Sequence, residues 1–549
     1  PCSLETWLSI IQQDHRQMSL LFGLKLYCAE HYFQLLKIGC LSSVGVASLI
    51  AIVIMALSCA RGGLKPISAG FLISISLIAL LLGFTGWFGF QVVINNDGFV
   101  KSFFDTRKMT AFTLSNGLRV LHVQNPAGKR FKLSVSVGAG AFHDPEDSQG
   151  LAHLTEHMVF SQSGNQEDGL YKFVLDHEGS VNGHTYSDTT SFFVDLKEKD
   201  SQICEKAIAK MGQALSTIKL SDDLVKAEQI VIDEEYEKEK SNVFYRLTSV
   251  ANTLFKRHPI QQLGVGSIAS FKNKDQLFAR VKEFYSTHYT ADNMAIYMES
   301  GSFDADRSKE LLESAFKGIQ KSVNGRSTDI AVPVIDPAKK EVYVKIHEPS
   351  SVPTAAFLFT VPKADGHKHW LPADFMQLVI NHPEGLQKYL VKEEKVALKV
   401  TGSVVEDNVA FYQFAILVSL HADMIQGFQY EVVFDRVQKY LRKLRTEPTI
   451  TFLYKQFCTL QKASFYFDNA SLEGSISEMS RRVLKSDCLK RLYVDEHVPI
   501  FDDDKEKMGK IIQAYIKRYF SDPIMGVYGD FSAESTAVWE EEPKHKARY

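Results

Sequence analysis

The apolar and polar positions of this chain follow two regimes. Up to about residue 96 the apolar residues run together. Beyond about residue 109 they alternate with polar ones at the periods of strands and of helices. No charged residue stands between Lys37 and Arg61, a run of 23, or between Lys65 and Asp97, a run of 31. About 20 apolar residues carry a helix across the hydrocarbon core of a bilayer. The runs therefore predict two transmembrane helices, about 38–60 and 67–94, joined by "RGGLK" into a hairpin. Residues 1–37 mix apolar and polar positions and read as an amphipathic segment. The chain is thus expected to be an integral membrane protein, multi-pass with two helices. Lys and Arg in the linker and flanks do not fix which side the remainder faces.

In the second regime, "TAFTLSNGLRVLHVQN" reads as two strands around an Asn116-Gly117 turn. "FKLSVSVGAGA" alternates as a strand and ends in glycines. A helix follows, from Ser148 to about Gln162, and then "SVNGHTYSDTTSFFVDL" as a strand pair. "SQICEKAIAKMGQALST" reads as a helix, and "SDDLVKAEQIVIDEEYEKEK" as another, capped by Ser221 with Asp222 and Asp223 at its positive end. After the polar stretch "KSVNGRSTD" the order repeats: strands at "EVYVKIHEP" and "TAAFLFTVP", a helix around 370–393, a strand at "VAFYQFAILVSL" and a long helix. The fold class is α+β, with two related mixed-sheet domains, 105–330 and 335–549.

Composition narrows the function by exclusion. The formal charge is -3, from 62 basic and 65 acidic residues, with no dense basic run, so no nucleic-acid partner is expected. Seven cysteines with no CxxC pair argue against a disulfide framework and against a thiolate metal site.

Candidate chemistry sits in "GLAHLTEHMVF". On a helix, His153 and His157 are four residues apart and share a face. Two imidazoles at that spacing can hold one zinc ion. Glu156 lies about 100° round the helix from His157, placed to reach a zinc-activated water without being a ligand. This is the H-x-x-E-H arrangement. Such a water has its pKa drawn toward 7, and a carboxylate then takes its proton during attack on a carbonyl. Catalytic zinc needs a third protein ligand. Glu228 and Glu235, seven apart on the acidic helix, look the same way, so one could bind and the other orient a ligand. Glu234, Glu237 and Glu239 crowd beside them. Read alone, that helix is also an ordinary solvated charged helix. The second domain has no comparable cluster: His382 has no histidine four residues away and reads as structural.

These residues resemble the pitrilysin/insulinase inverzincin metallopeptidases. The likeness runs over about residues 108–549 and is strongest in 130–300. "SVSVGAGAFHDPEDSQGLAHLTEHMVF" is similar to the family's strand, turn and zinc helix, "EGSVNGHTYSDTTSFFVDL" to its substrate-edge strand, and "AEQIVIDEEYEKEK" to its third-ligand helix. The likeness extends to "RHPIQQLGVGS" and "HYTADNMAIYMES". In the second domain "NHPEGLQKYLVKEEKVALKV" resembles the segment that grips a substrate's N-terminus in larger relatives. The resemblance implies two homologous domains of this type, the second inactive, and one Zn2+ per chain. It implies His153, His157 and Glu235 as ligands, Glu228 as a carboxylate behind them, Glu156 as general base, and Asn182 as a substrate-positioning residue.

The function implied is a membrane-anchored zinc metalloendopeptidase, a peptide-bond hydrolase acting on extended peptides or small unfolded proteins. The alternative is a non-catalytic scaffold or processing subunit of a membrane complex. Three departures stand out. Gly183-His184 follows Asn182 where the family usually has Asn-Ala. The second clamshell half, with its substrate-binding arginine and tyrosine, is not found, so a homodimer or a heterodimer with a homologous half is expected. The membrane hairpin lies outside the family's usual pattern.

Overall fold

The computed structural model describes residues 92–94, 100–102 and most of 105–529; within that last range 165–168, 199, 219–220, 273–275, 323–329, 336–343, 349–351, 364–372, 422–429, 446, 468–475, 487–504 and 522 are not described. The expected hairpin therefore lies outside the described residues, save for its last three. Those three, Val92–Ile94, are a strand (β1) paired antiparallel with Val100–Ser102 (β2), not the end of a helix. Three β-branched residues in a row favour that outcome. Among the described residues no helix is long and apolar enough to cross a membrane. The chain divides into two compact units, one of residues 1–106, 452–472 and 493–505, the other of 107–451, 473–492 and 506–549. Both large sheets belong to the second unit.

The first sheet is built from β3 (Lys108–Thr113), β4 (Arg119–Gln124), β5 (Arg130–Val137), β6 (Ser180–Thr185), β7 (Thr190–Lys197) and β8 (Met294–Ser300), in the order β3-β4-β8-β5-β7-β6. The second is built from β9 (Val344–His347), β10 (Thr354–Pro362), β11 (Ala397–Asp407), β12 (Phe411–Leu420) and β13 (Ile524–Gly529), in the order β11-β12-β10-β13-β9. With β3 set aside, the two orders correspond strand for strand. In each, the only parallel pair is the equivalent one, β4–β8 and β9–β13. The repeat expected from the sequence is present in the topology, and β6 and β11 occupy equivalent edges.

The helices are α1 (Leu151–Gly164), α2 (Leu170–Asp176), α3 (Ser201–Ser216), α4 (Asp222–Lys240), α5 (Val243–Asn252), α6 (Leu277–His288), α7 (Ala305–Phe316), α8 (Ala373–Asn381), α9 (Tyr430–Leu444), α10 (Glu447–Phe467), α11 (Ile476–Lys485) and α12 (Lys505–Tyr519). Phe131, Leu133 and Val135 of β5 point into a core shared with Leu154 and Met158 of α1 and with Ile208, Met211 and Leu312. Strict alternation would leave Ser134 and Ser136 on an open face. Both are fully buried, because α11 lies across β5, β7 and β8 and Ser480 Oγ sits 2.6 and 2.7 Å from their hydroxyls. The exchange is reciprocal. Helix α5, which follows the acidic helix α4, packs on β9 and β13 of the second sheet, and Leu247 and Ala251 join Ala356, Leu358 and Ile524 in one core. Each sheet is thus covered in part by a helix that comes from the other half of the sequence.

Two expected helices have different bounds. The one placed at Ser148 begins at Leu151, because the Asp144 carboxylate, six residues before Gly150, accepts from the Gly150 and Ala152 amides at 2.7 and 2.8 Å and caps it there. The one placed at 370–393 is broken: α8 ends at Asn381, and a π-type turn covers Lys388–Glu393. Pro383 lies in the break, where its missing N–H and its ring exclude helix continuation.

Candidate active site

Helix α1 presents both histidines from its first two turns, and α4 packs against it. The His153 and His157 rings stand 4.7 Å apart, nearly perpendicular. Glu235 Oε2 lies 3.4 Å from His153 Nε2 and 3.8 Å from His157 Nε2. One ligand atom from each of the three falls within 4.8 Å of the others, close enough to hold one metal ion. Glu234, Glu237 and Glu239 are exposed on the same helix, whereas Glu235 is half-buried. Among the described residues these three form the one cluster of three or more His, Cys, Asp or Glu side chains so disposed.

Each imidazole is oriented from behind. The Val265 carbonyl, 2.8 Å from His153 Nδ1, accepts a hydrogen bond from it, so that Nε2 is the nitrogen turned toward Glu235. Glu228 Oε2 does the same for His157 Nδ1 at 3.0 Å. The Val265 loop approaches so closely because glycines meet there: Gly150 and Gly266 both have positive φ, 93° and 82°, and a Cβ on Gly150 would lie 2.3 Å from the Gly266 Cα. Burial lowers the His157 pKa, but the Glu228 hydrogen bond and the Glu156 and Glu235 charges outweigh it, so the group is raised above its ordinary value. A pocket that favours charge on an imidazole in this way is one that favours a cation, and this donor set of two imidazoles and a carboxylate fits zinc.

Glu156 is buried, at 6% exposure, on the side of α1 that faces the edge strand β6. Its Oε2 accepts from the Thr185 hydroxyl at 2.7 Å. A Cβ on Gly183 would stand 2.5 Å from Glu156 Oε1 and 2.7 Å from Phe160, so the glycine at this place in β6 is what lets the carboxylate lie there. Asn182 is exposed, and its Oδ1 accepts from the Gly183 amide at 2.9 Å. His184 is also exposed, 5.6 Å ring to ring from Phe193.

All of the expected site residues, Asn182 included, line one cavity of about 1480 Å³. Its other walls are Tyr245 and Asn252 of α5, the loop 259–265, and residues 404–407 of β11 with Arg481 of α11. Sequence reasoning missed Thr185, Val265 and Arg481. Thr185 stood in the edge strand but without a periodicity to single it out. The Val265 and Arg481 contacts span 112 and 292 residues, which no local pattern reports. His382, by contrast, is buried, and its Nδ1 accepts from the Glu384 amide, a structural role.

Residues 119–262 match the family described as Insulinase (Peptidase family M16), and residues 278–451 match the Peptidase M16 inactive domain; together they cover more than half of the chain. The chain is 24% identical over 413 residues to the A-factor-processing enzyme of Saccharomyces cerevisiae, covering 73% of this chain and 39% of that protein. It is 28% identical over 235 residues to insulin-degrading enzyme-like 2 of Arabidopsis thaliana, covering 40% and 23% respectively. The fold is similar to a crystal structure of pitrilysin, with a TM-score of 0.66 at 19% identity over 80% of this chain and 46% of that one. The chain spans less than half the length of each.

Proposed function

The chain belongs to peptidase family M16, and on that premise we propose that it is a zinc metalloendopeptidase acting on extended peptides or small unfolded proteins. The observation that carries the proposal is the convergence of His153, His157 and Glu235 beside a buried glutamate that is not part of the triad. His153 Nε2, His157 Nε2 and a Glu235 oxygen would hold the ion. Bound there, zinc supplies Lewis-acid activation of water and of the scissile carbonyl. Glu156 takes the proton of the attacking water on its carboxylate and returns it to the departing amine. Glu228 and the Val265 carbonyl keep the two imidazoles in the tautomers that the ligand role requires.

Strand β6 is the open edge of its sheet, so a peptide can extend the sheet by backbone pairing. Pairing of that kind tolerates many sequences, which suits unfolded substrates. Asn182, now bonded to the Gly183 amide on that strand, would trade this contact for the substrate backbone. The apolar run at 38–60 and the one that begins at 67 and ends before β1 would anchor the enzyme in a bilayer, and a second copy or a homologous half would complete the substrate chamber.

The test is hydrolysis of a quenched fluorescent peptide by the purified protein, with its zinc content measured in parallel. Chelation should abolish cleavage and zinc should restore it. Glu156→Gln should keep the zinc and lose about 10²–10⁴-fold in kcat. Retention of activity by that variant sinks the general-base assignment. A protein that binds no zinc and cleaves nothing is a scaffold subunit.

A further inference from the structure

The turn that joins β6 to β7, residues 186–189, is gripped by the second half of the chain through buried charge. Asp188 is buried, with 2% of its side chain exposed, and Lys485 Nζ stands 2.8 Å from one of its oxygens. Arg481 Nη2 is 3.6 Å from the other, and the Val409 amide, just beyond the end of β11, donates to Asp188 at 2.9 Å. The Arg481 guanidinium is committed on every side. Nε donates to Thr189 Oγ1 at 2.9 Å, Nη1 to Glu478 at 2.6 Å, and Nη2 to the Asp407 carbonyl at 3.2 Å. Its Cζ lies 3.9 Å from the Tyr186 ring centre. Ser187 donates to Glu406 at 2.6 Å.

Every residue of the turn therefore has a polar or cation–π contact with β11, the segment just after it, or α11. None of these contacts touches the metal triad. What they fix is the end of the edge strand, and Thr185, the last residue of β6, is the donor that holds Glu156. Buried ion pairs of this kind contribute little net stability against an apolar equivalent, whereas a unique arrangement is what they can secure.

We propose that Asp188, Arg481 and Lys485 are positioning residues for the reaction: they lock the β6–β7 turn so that Thr185 holds the Glu156 carboxylate in place. The second half of the chain thereby reaches the general base without contributing a ligand. The inference rests on the peptidase reading of the site, but part of its test does not.

The test is a double-mutant cycle on the full chain with Asp188→Asn and Thr185→Val, reading kcat, KM, bound zinc and amide hydrogen exchange in residues 180–185. Asp188→Asn should lower kcat about tenfold or more, retain one zinc per chain, and speed exchange in β6 while leaving β5 unchanged. In the Thr185→Val background, Asp188→Asn should lower kcat by less than about twofold further, because the path to Glu156 is already cut. Losses that multiply across the cycle, or exchange in β6 that does not change, overturn the proposal. If Asp188→Asn does not fold, Arg481→Lys takes its place in the same cycle, since it keeps the charge and loses the Thr189 and Glu478 geometry. If the parent protein cleaves no peptide, the peptidase reading fails, and the exchange measurement still decides whether the lock holds the strand.

Discussion

The two sheets share an order of strands and differ in the helices that leave their equivalent central strands. After β5 the chain enters α1, which carries His153, Glu156 and His157. After β10 it enters α8, whose inward positions are Phe375, Met376, Leu378, Val379 and Ile380. One helix turns its site-facing side to the candidate metal triad, the other spends it on packing. The equivalent edges diverge as well: β6 carries Gly183 against Glu156, while β11 forms a wall of the same cavity with residues 404–407. The architecture is therefore shared and the chemistry is local. The half whose described residues hold no metal cluster still supplies a cavity wall, the cover over β5, and the grip on the β6–β7 turn.

That comparison can be broken most severely by separating the halves. A fragment of residues 105–330 would lose α11 over Ser134 and Ser136 and would expose the Leu247 face of α5. It should show no cooperative melting transition and bind no zinc; a folded, zinc-binding fragment would show that the halves are independent. A narrower cut is Leu247→Ala. Leu247 is fully buried and lies against Gly526, so truncation should cost about 2–5 kcal/mol in denaturant unfolding. A loss below about 1 kcal/mol would mean that α5 is not held by the second sheet.

Acid should bear on the first half in particular. Burial lowers His122 to about 4, despite the opposing Asp304 charge, and lowers His288 to about 4 as well, with His143 adding to the effect. Between pH 6.5 and 4 the unfolded chain binds protons at these two histidines that the folded chain refuses, so their contribution to stability falls as pH falls, while Asp144, which burial raises to about 7, works in the opposite direction. His122 alone should account for up to roughly 3 kcal/mol. A His122→Leu variant whose melting temperature changes with pH as the parent's does would contradict it. The smallest effect is expected at His382. His382→Ala removes one acceptor for the Glu384 amide and should cost about 1 kcal/mol, with zinc binding unchanged.

Much of the site was legible because its signals are local. The i,i+4 histidines, the seven-residue step from Glu228 to Glu235 and the Ser221 cap, which accepts from Leu224 at 3.2 Å, each depend on one helix and nothing else. The hairpin at Asn116-Gly117 and the paired strands β6 and β7 were legible for the same reason. The start of α1 was not, because its cap, Asp144, lies outside any usual capping spacing. The burial of Ser134 and Ser136 was hidden too. The alternation of β5 is that of a half-exposed strand, and only a partner 344 or more residues away makes it otherwise. Helices α5 and α11 each announce an apolar face, but nothing in the sequence says that the surface it needs belongs to the opposite sheet.

The central claim is that Glu235, and not a neighbouring carboxylate, completes a zinc triad with His153 and His157. Calorimetric titration of the metal-stripped protein with zinc tests it most directly. One site per chain is predicted, weakened by more than about a hundredfold in Glu235→Gln and unchanged in Glu234→Gln, since removing a direct ligand must exceed the 10–100-fold typical of an outer contact. Equal affinity in wild type and Glu235→Gln would contradict it.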